Sequence, residues 1–324
     1  MNYRHAYHAG NFADVLKHIV LTLCLVHLKR KVAPFRIIDT HAGAGRYRLD
    51  QSEAETTGEW RSGVAKIFGA DAEALSPQQA GLMAPYRDAL AADNPDGALK
   101  VYPGSPALVQ AALRATDALV ANELHPEMAQ ALRKSLGKDK LCKVSTMDGY
   151  AALKALLPPK ERRGLVLIDP PFEEPGELVR MTDALGEALK RFATGTYLLW
   201  YPIKDEKPVE RFHRGVLEVT AMYGVAAPLK VELLLRPARN PLLLNGCGLV
   251  VVNAPFTLET DLRVLLPMLN QRLGETGTGL FRLGLLAAKA APSAAMTARR
   301  GKPRLGSATG RTGAAARRRP PINS

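Results

Sequence analysis

The chain reads as an α/β protein built on a mostly parallel, doubly wound sheet of seven strands, and three observations carry that reading. From residue 117 onward, short apolar runs alternate with stretches of helical periodicity, the pattern of a parallel sheet covered by helices on both faces. The last two strand-like runs, 228–236 and 246–255, are joined by a connection too short for a helix, so they pair as an antiparallel hairpin. Several strand-like runs end in an acid, and ligands of such sheets sit beyond the carboxyl ends of the strands.

The elements follow in order. Residues 13–31, ADVLKHIVLTLCLVHLKRK, place apolar side chains at helical spacing and end in a basic turn, which suits a helix C-terminus. This pattern predicts an amphipathic helix with Lys17 and His18 on its surface. RIIDT (36–40) is a short buried-type strand, followed by HAGAGRY. Residues 51–94 are rich in Ala, Glu and Gln, with Pro77 and Pro85 as punctuation, and predict two or three helices. Strands then fall at 117–124, 140–148, 164–169 and 195–202, separated by helices at 126–136, 149–157 and 176–192. A further helix, EKPVERFHRG, precedes the hairpin.

Composition narrows the class. A chain of 324 residues with 47% hydrophobic content has ample core for a globular fold. No apolar run is long enough to span a bilayer, and MNYRHAYHAGNF lacks the layout of a secretory signal. Cys24, Cys142 and Cys247 lie far apart with no C-x-x-C pair, which argues against a disulfide framework or zinc site and for a reducing, cytoplasmic setting. The net charge of +13 is uneven: residues 289–324 hold nine Lys/Arg and no acid, leaving about +4 on residues 1–288. That tail is poor in core-forming side chains and predicts disorder. Its charge favours contacts with RNA phosphates, or serves solubility alone. The seven histidines show no helical pair at i, i+4 with a glutamate between, so no metal is expected.

Candidate site residues cluster at predicted strand ends. RIIDT runs into His41-Ala42-Gly43-Ala44-Gly45, where glycines let backbone N–H groups approach a ligand; a tight strand-to-helix turn explains the spacing equally well. Glu123 ends the next strand, about 80 residues past the glycines, in the place of an acid that binds ribose hydroxyls. The helical stretch between them is therefore an insertion. Asp148-Gly149 and Asp169 end the following strands. Each acid also suits a helix N-cap, but their succession facing one crevice points to a nucleoside-containing cofactor.

LIDPPF (167–172) is the most specific stretch. The prolines fix φ and remove two N–H donors, leaving the Pro170 carbonyl beside the Asp169 carboxylate. Two such acceptors suit an exocyclic amine. Hydrogen bonds from both N–H groups draw the nitrogen toward a tetrahedral geometry, freeing a lone pair otherwise delocalised into the ring. Phe172 offers a face for a base, which a duplex must flip out.

These residues resemble the amino-methyltransferases with an Asp/Asn-Pro-Pro-aromatic motif. Taken with YRHAYHAGNFADVLKH, DTHAGAGRY, YPGSP, ELHP, RFATGTYLLWYP and GCGLVVVNAP, in that order, they resemble the ribosomal large-subunit RNA methyltransferase J family over residues 1 to about 280. The resemblance implies a Rossmann-like class I methyltransferase fold with an inserted helical subdomain. It implies S-adenosyl-L-methionine as cofactor and N6 of an adenine in 23S rRNA as target. On it, His18, His41, Ser105, Glu123, Asp148 and Gly149 hold the cofactor, with Gly43 in the glycine turn. Asp169, Pro170 and Phe172 are catalytic, and Tyr3 and Lys17 contact the RNA. Ser105 also suits a plain helix cap. Family members often carry Tyr where this chain has Phe172, which keeps the stacking and loses a hydroxyl. Some guanine-N2 rRNA methyltransferases share DPPF, so that base is the alternative target, and a non-catalytic RNA-binding protein is the other.

The expected organisation is an N-terminal segment and first helix at 1–35, a methyltransferase domain at 36–50 and 97–288, the helical insertion at 51–96 and the basic tail at 289–324. No membrane or metal partner is expected, and a monomer is favoured.

Overall fold

The computed structural model describes residues 5–275 and 277–287; Tyr3 and the basic tail lie outside them. A single 3-10 turn, His5–Tyr7, leads into α1 (Phe12–Lys29), capped by Asn11, whose Oδ1 accepts from the backbone N–H groups of Ala13 and Asp14. β1 (Arg36–Asp39) follows, then β2 (Arg46–Arg48). Four helical pieces come next: α2 (Ser52–Thr57), α3 (Glu59–Ser62), α4 (Ala65–Phe68) and α5 (Pro77–Ala92). Ser76 and Gln79 form a capping box at the start of α5, and Pro85 lies inside that helix instead of breaking it. β3 (Val101–Pro103) and α6 (Ser105–Ala112) return the chain to the sheet.

Then alternation sets in: β4 (Ala118–Asn122), α7 (Pro126–Leu136), β5 (Cys142–Ser145), α8 (Gly149–Leu156), β6 (Gly164–Ile168), α9 (Glu177–Phe192), β7 (Thr196–Ile203) and α10 (Glu206–Met222). β8 (Leu229–Leu234), β9 (Gly246–Val252), α11 (Leu258–Leu273) and β10 (Leu280–Leu285) complete the described chain.

The large sheet has the order β10-β8-β9-β7-β6-β1-β4-β5. β5, β4, β1, β6 and β7 are mutually parallel, whereas β9, β8 and β10 join antiparallel. The sheet thus has eight strands where the sequence patterns predict seven. The eighth, β10, is an edge strand of mostly half-buried residues interrupted by Gly284, which hides the alternation that marks a strand. Successive residues point to opposite faces: Leu165 and Leu167 of β6 enter one core, Val166 and Ile168 the other. The first core is closed by α1, α5, α6, α7 and α11, the second by α8, α9 and α10.

The glycine turn does not open a helix. It feeds β2, which pairs antiparallel with β3 in a separate two-stranded ribbon. The ribbon closes the stem from which α2–α5 emerge, and α6 supplies the crossover toward β4. Three-residue strands are too short to show periodicity.

α1 is not amphipathic in the predicted sense. Every residue from Phe12 to Leu25 is buried, Lys17 and His18 included. Among the described residues no helix is long and apolar enough to cross a membrane.

Candidate active site

In the parallel half, the chain runs from β1 through β4 to β5, then returns to β6 on the other side of β1. This reversal opens a crevice at the carboxyl ends of the strands. A cavity of about 620 Å³ lies there. It is lined by Lys17, His18, His41, Gly43, Ser105, Glu123, Asp148, Gly149, Asp169, Pro170 and Phe172. Every candidate residue from the sequence faces this one space, except Tyr3, which lies outside the described residues.

On the β1–β4–β5 side, Gly43 adopts φ +62°, and a Cβ there would sit 2.1 Å from the Tyr47 hydroxyl oxygen. The turn therefore requires glycine. The Gly43 N–H donates to Glu123 Oε2 at 2.8 Å, and the His125 N–H donates to Oε1 at 2.8 Å. Two backbone donors thus orient the Glu123 carboxylate beside the turn. His41 Nδ1 lies 2.8 Å from Thr40 Oγ1, and the ring meets Tyr150 edge-on at 5.6 Å. A Cβ on Gly149 would fall 2.4 Å from His41 Nε2. Asp148 Oδ1 caps α8 through the Tyr150 and Ala151 N–H groups, so it fills the N-cap role while lining the cavity. Ser105 is the first residue of α6, after the cap Gly104, and its hydroxyl does not cap the helix. It donates to Asp39 Oδ2 at 2.6 Å. Burial raises the Asp39 carboxyl to about 6, with the Ser105 bond pulling the other way.

His18 is 1% exposed, with Nδ1 2.7 Å from the Tyr102 hydroxyl, which in turn meets the Tyr86 hydroxyl at 2.7 Å. Its Nε2 is buried without a protein partner. An orphaned buried nitrogen is uncommon in a folded protein, and here it belongs to a residue that faces the cavity. The unpartnered His18 Nε2 and the oriented Glu123 carboxylate, on residues that line one cavity, fit a nucleoside-bearing cofactor.

The pH dependence of stability follows from two of these groups. Burial pushes His18 down to about 3 and His41 down to about 4, from an ordinary 6.5. Between 6.5 and 4 the unfolded chain binds protons that the folded chain refuses, so stability falls with pH. Asp39, protonating earlier when folded, offsets part of this loss. His41→Asn is expected to lose less stability than the wild type between pH 6.5 and 4 in urea denaturation. Parallel curves for the two proteins would refute a neutral His41 in the folded chain.

On the β6 side, Asp169 follows the last residue of the strand and its Oδ2 lies 2.5 Å from Lys17 Nζ. Lys17 also meets Asp14 Oδ1 at 2.8 Å. Burial opposes the lysine's charge, but Asp14 and Asp169 outweigh it and hold the ammonium well above the usual lysine range. Asp14 Oδ2 meets His5 Nε2 at 3.0 Å and accepts from the Gly10 N–H at 2.9 Å. Burial works against this carboxylate too, and His5 and Lys17 keep it well below the ordinary range. Phe172 takes φ +51°, a left-handed conformation that costs a non-glycine residue roughly 1–3 kcal/mol and concentrates at functional sites. Its ring packs edge-on to Trp200 at 5.6 Å.

Asp14 and Trp200 also line the cavity, and Asp39 and Tyr102 lie behind it, bonded to Ser105 and His18; the sequence patterns single out none of the four. Asp39 sits within a strand-like run and Asp14 within a helical one, so periodicity gives them no mark.

The strand order, the antiparallel β8–β9 hairpin beside β7 and the cavity over the parallel carboxyl ends define a class I methyltransferase fold. The sequence model of the family described as "Ribosomal RNA large subunit methyltransferase D, RlmJ" matches residues 32–286. The chain belongs to that family. It is 43% identical over 280 residues to ribosomal RNA large subunit methyltransferase J of Haemophilus influenzae, covering 86% of this chain and 96% of the relative. The protein of the same name from Escherichia coli is 42% identical over 279 residues, with the same coverage. Among solved structures, a Legionella pneumophila protein matches with a TM-score of 0.78 and 33% identity, over 86% of this chain and 99% of that one.

Proposed function

We propose that the chain methylates N6 of a specific adenine in 23S rRNA, with S-adenosyl-L-methionine as donor. The observation that carries this reading is the Asp169-Pro170-Pro171-Phe172 turn at the end of β6, facing the same cavity as Glu123 and His41. When bound, the cofactor supplies an electrophilic methyl group. The chain's own residues do the rest. His18, His41, Gly43, Ser105, Glu123, Asp148 and Gly149 hold the cofactor. The Asp169 carboxylate and Pro170 carbonyl accept hydrogen bonds from the target amine, localising its lone pair for in-line attack. Lys17 fixes Asp169 in place, so the acceptor is set before the base arrives. Phe172, braced by Trp200, stacks on the flipped base, and Tyr3 and Lys17 contact the RNA. Residues 51–96 are read as an insertion in a methyltransferase domain formed by 36–50 and 97–288.

The deciding experiment is nucleoside mass spectrometry of 23S rRNA from a strain lacking the protein, with restoration by the purified enzyme. Loss and return of one N6-methyladenosine is expected. Loss of an N2-methylguanosine would instead assign the guanine reaction, and an unchanged nucleoside profile would leave the RNA-binding reading.

Glu123→Ala is expected to weaken cofactor binding by about 1.5–3 kcal/mol, the range for hydrogen bonds to a charged group. Part of the loss comes from the Gly43 N–H that Glu123 now holds. Calorimetry showing unchanged affinity would remove Glu123 from the ribose site.

A further inference from the structure

The segment Tyr7–Asn11 is both a wall of the cavity and a strap laid on the helical insertion. His8 and Asn11 line the cavity. Four contacts tie the strap to residues 57–64. The Thr57 hydroxyl donates to the Tyr7 carbonyl. His8 Nδ1 lies 3.0 Å from both oxygens of Glu59. Asn11 Nδ2 donates to Glu59 Oε2 at 2.9 Å, and the Val64 N–H donates to the Gly10 carbonyl at 2.8 Å. The fit is close: a Cβ on Gly63 would fall 2.1 Å from the Gly10 oxygen.

We infer that Glu59 is a positioning residue, and that the helical insertion serves as the seat on which its carboxylate sets the substrate-facing N-terminal segment. Asn11 links the two ends of this arrangement. Its Nδ2 is held by Glu59 while its Oδ1 caps α1, the helix that carries Lys17. Asp14, which grips Lys17, also takes the Gly10 N–H and the His5 ring. Moving Glu59 therefore moves the strap and the start of α1, and with them the groups around Asp169. The pair of Glu59 and His8 is only partly buried, with side chains 36% and 39% exposed. An ion pair so open to solvent adds modestly to global stability, which leaves its effect on the strap separable from its effect on the fold.

The inference rests on the proposed RNA methylation for its kinetic arm and on the segment's own dynamics for the other. In Glu59→Ala, kcat/KM for rRNA is expected to fall roughly ten- to a hundredfold, as for small displacements of positioned groups. Cofactor affinity stays within about twofold, and Tm moves by under about 3 °C. Glu59→Gln, which keeps an acceptor oxygen for Asn11, recovers part of the loss. Hydrogen exchange at residues 7–11 speeds up in Glu59→Ala while that of β6 does not change. Wild-type exchange at the strap would overturn the inference, whatever the substrate. So would equal loss of Tm, cofactor binding and turnover, which marks a merely structural residue. If the wild-type enzyme transfers no methyl to rRNA, the proposed function fails, and the exchange comparison still decides the role of Glu59.

Discussion

Asp169→Ala is expected to slow methyl transfer to 23S rRNA by about a hundredfold to a thousandfold, the usual loss when one preorganised polar group is removed from a reacting centre. Affinity for the methyl donor stays nearly intact, because in the proposed reaction the carboxylate serves the incoming amine. An aromatic amine is a poor nucleophile until its N–H groups are engaged, and the Pro170 carbonyl alone engages one of them. The fold survives the change, since Lys17 keeps Asp14 at 2.8 Å as its counter-charge. Asp169→Asn retains one carbonyl oxygen and loses the charge facing Lys17, so it falls between the two. Single-turnover rates with calorimetric cofactor titration separate chemistry from binding. Wild-type turnover in Asp169→Ala would remove this residue from the reaction.

The second large effect belongs to Lys17→Met. Lys17 is 5% exposed, and its ammonium lies between Asp14, 2% exposed, and Asp169. Its removal leaves the Asp14 and Asp169 carboxylates without the counter-charge they share. Breaking a buried pair this way costs about 3–5 kcal/mol, a drop of roughly 5–15 °C in Tm. Activity falls with it, because nothing then fixes Asp169. The paired variant Lys17→Met/Asp14→Asn removes the uncompensated charge and recovers much of the stability, though little of the activity. Urea denaturation at pH 7 measures the difference. A loss under about 1 kcal/mol in the single variant would mean that Lys17 behaves as an ordinary surface lysine.

What the sequence made legible divides by length scale. Strands such as GLVLID and helices such as GELVRMTDALGEALKRF carry enough periodic residues to be read, and their order yields the parallel sheet and the crevice above it. The acids stand out because each closes such a run. β2 and β3 have three residues each, below any period. α11 contains Pro267 and β10 contains Gly284, and both blur the patterns that would reveal them. The burial of Lys17 and His18 was illegible for a different reason. A charged residue on an apolar helix looks like its solvent face until a distant carboxylate or hydroxyl is known to meet it. Tyr102 lies 84 positions from His18, and Asp169 lies 152 positions from Lys17. The same distance hid Asp39, whose partner Ser105 is 66 positions on.

The span from Lys17 to Asp169 also has a meaning in time. At translation rates of about 5–20 residues per second, 152 positions take roughly 8–30 s to make. Throughout that interval Lys17 has only Asp14 for company, and the strand that ends in Asp169 does not yet exist. A chain stalled before β6 lacks Asp169, which on the proposed reading is the acceptor for the target amine. On that reading, competence is acquired late in synthesis, once the strand that ends at Asp169 has been made.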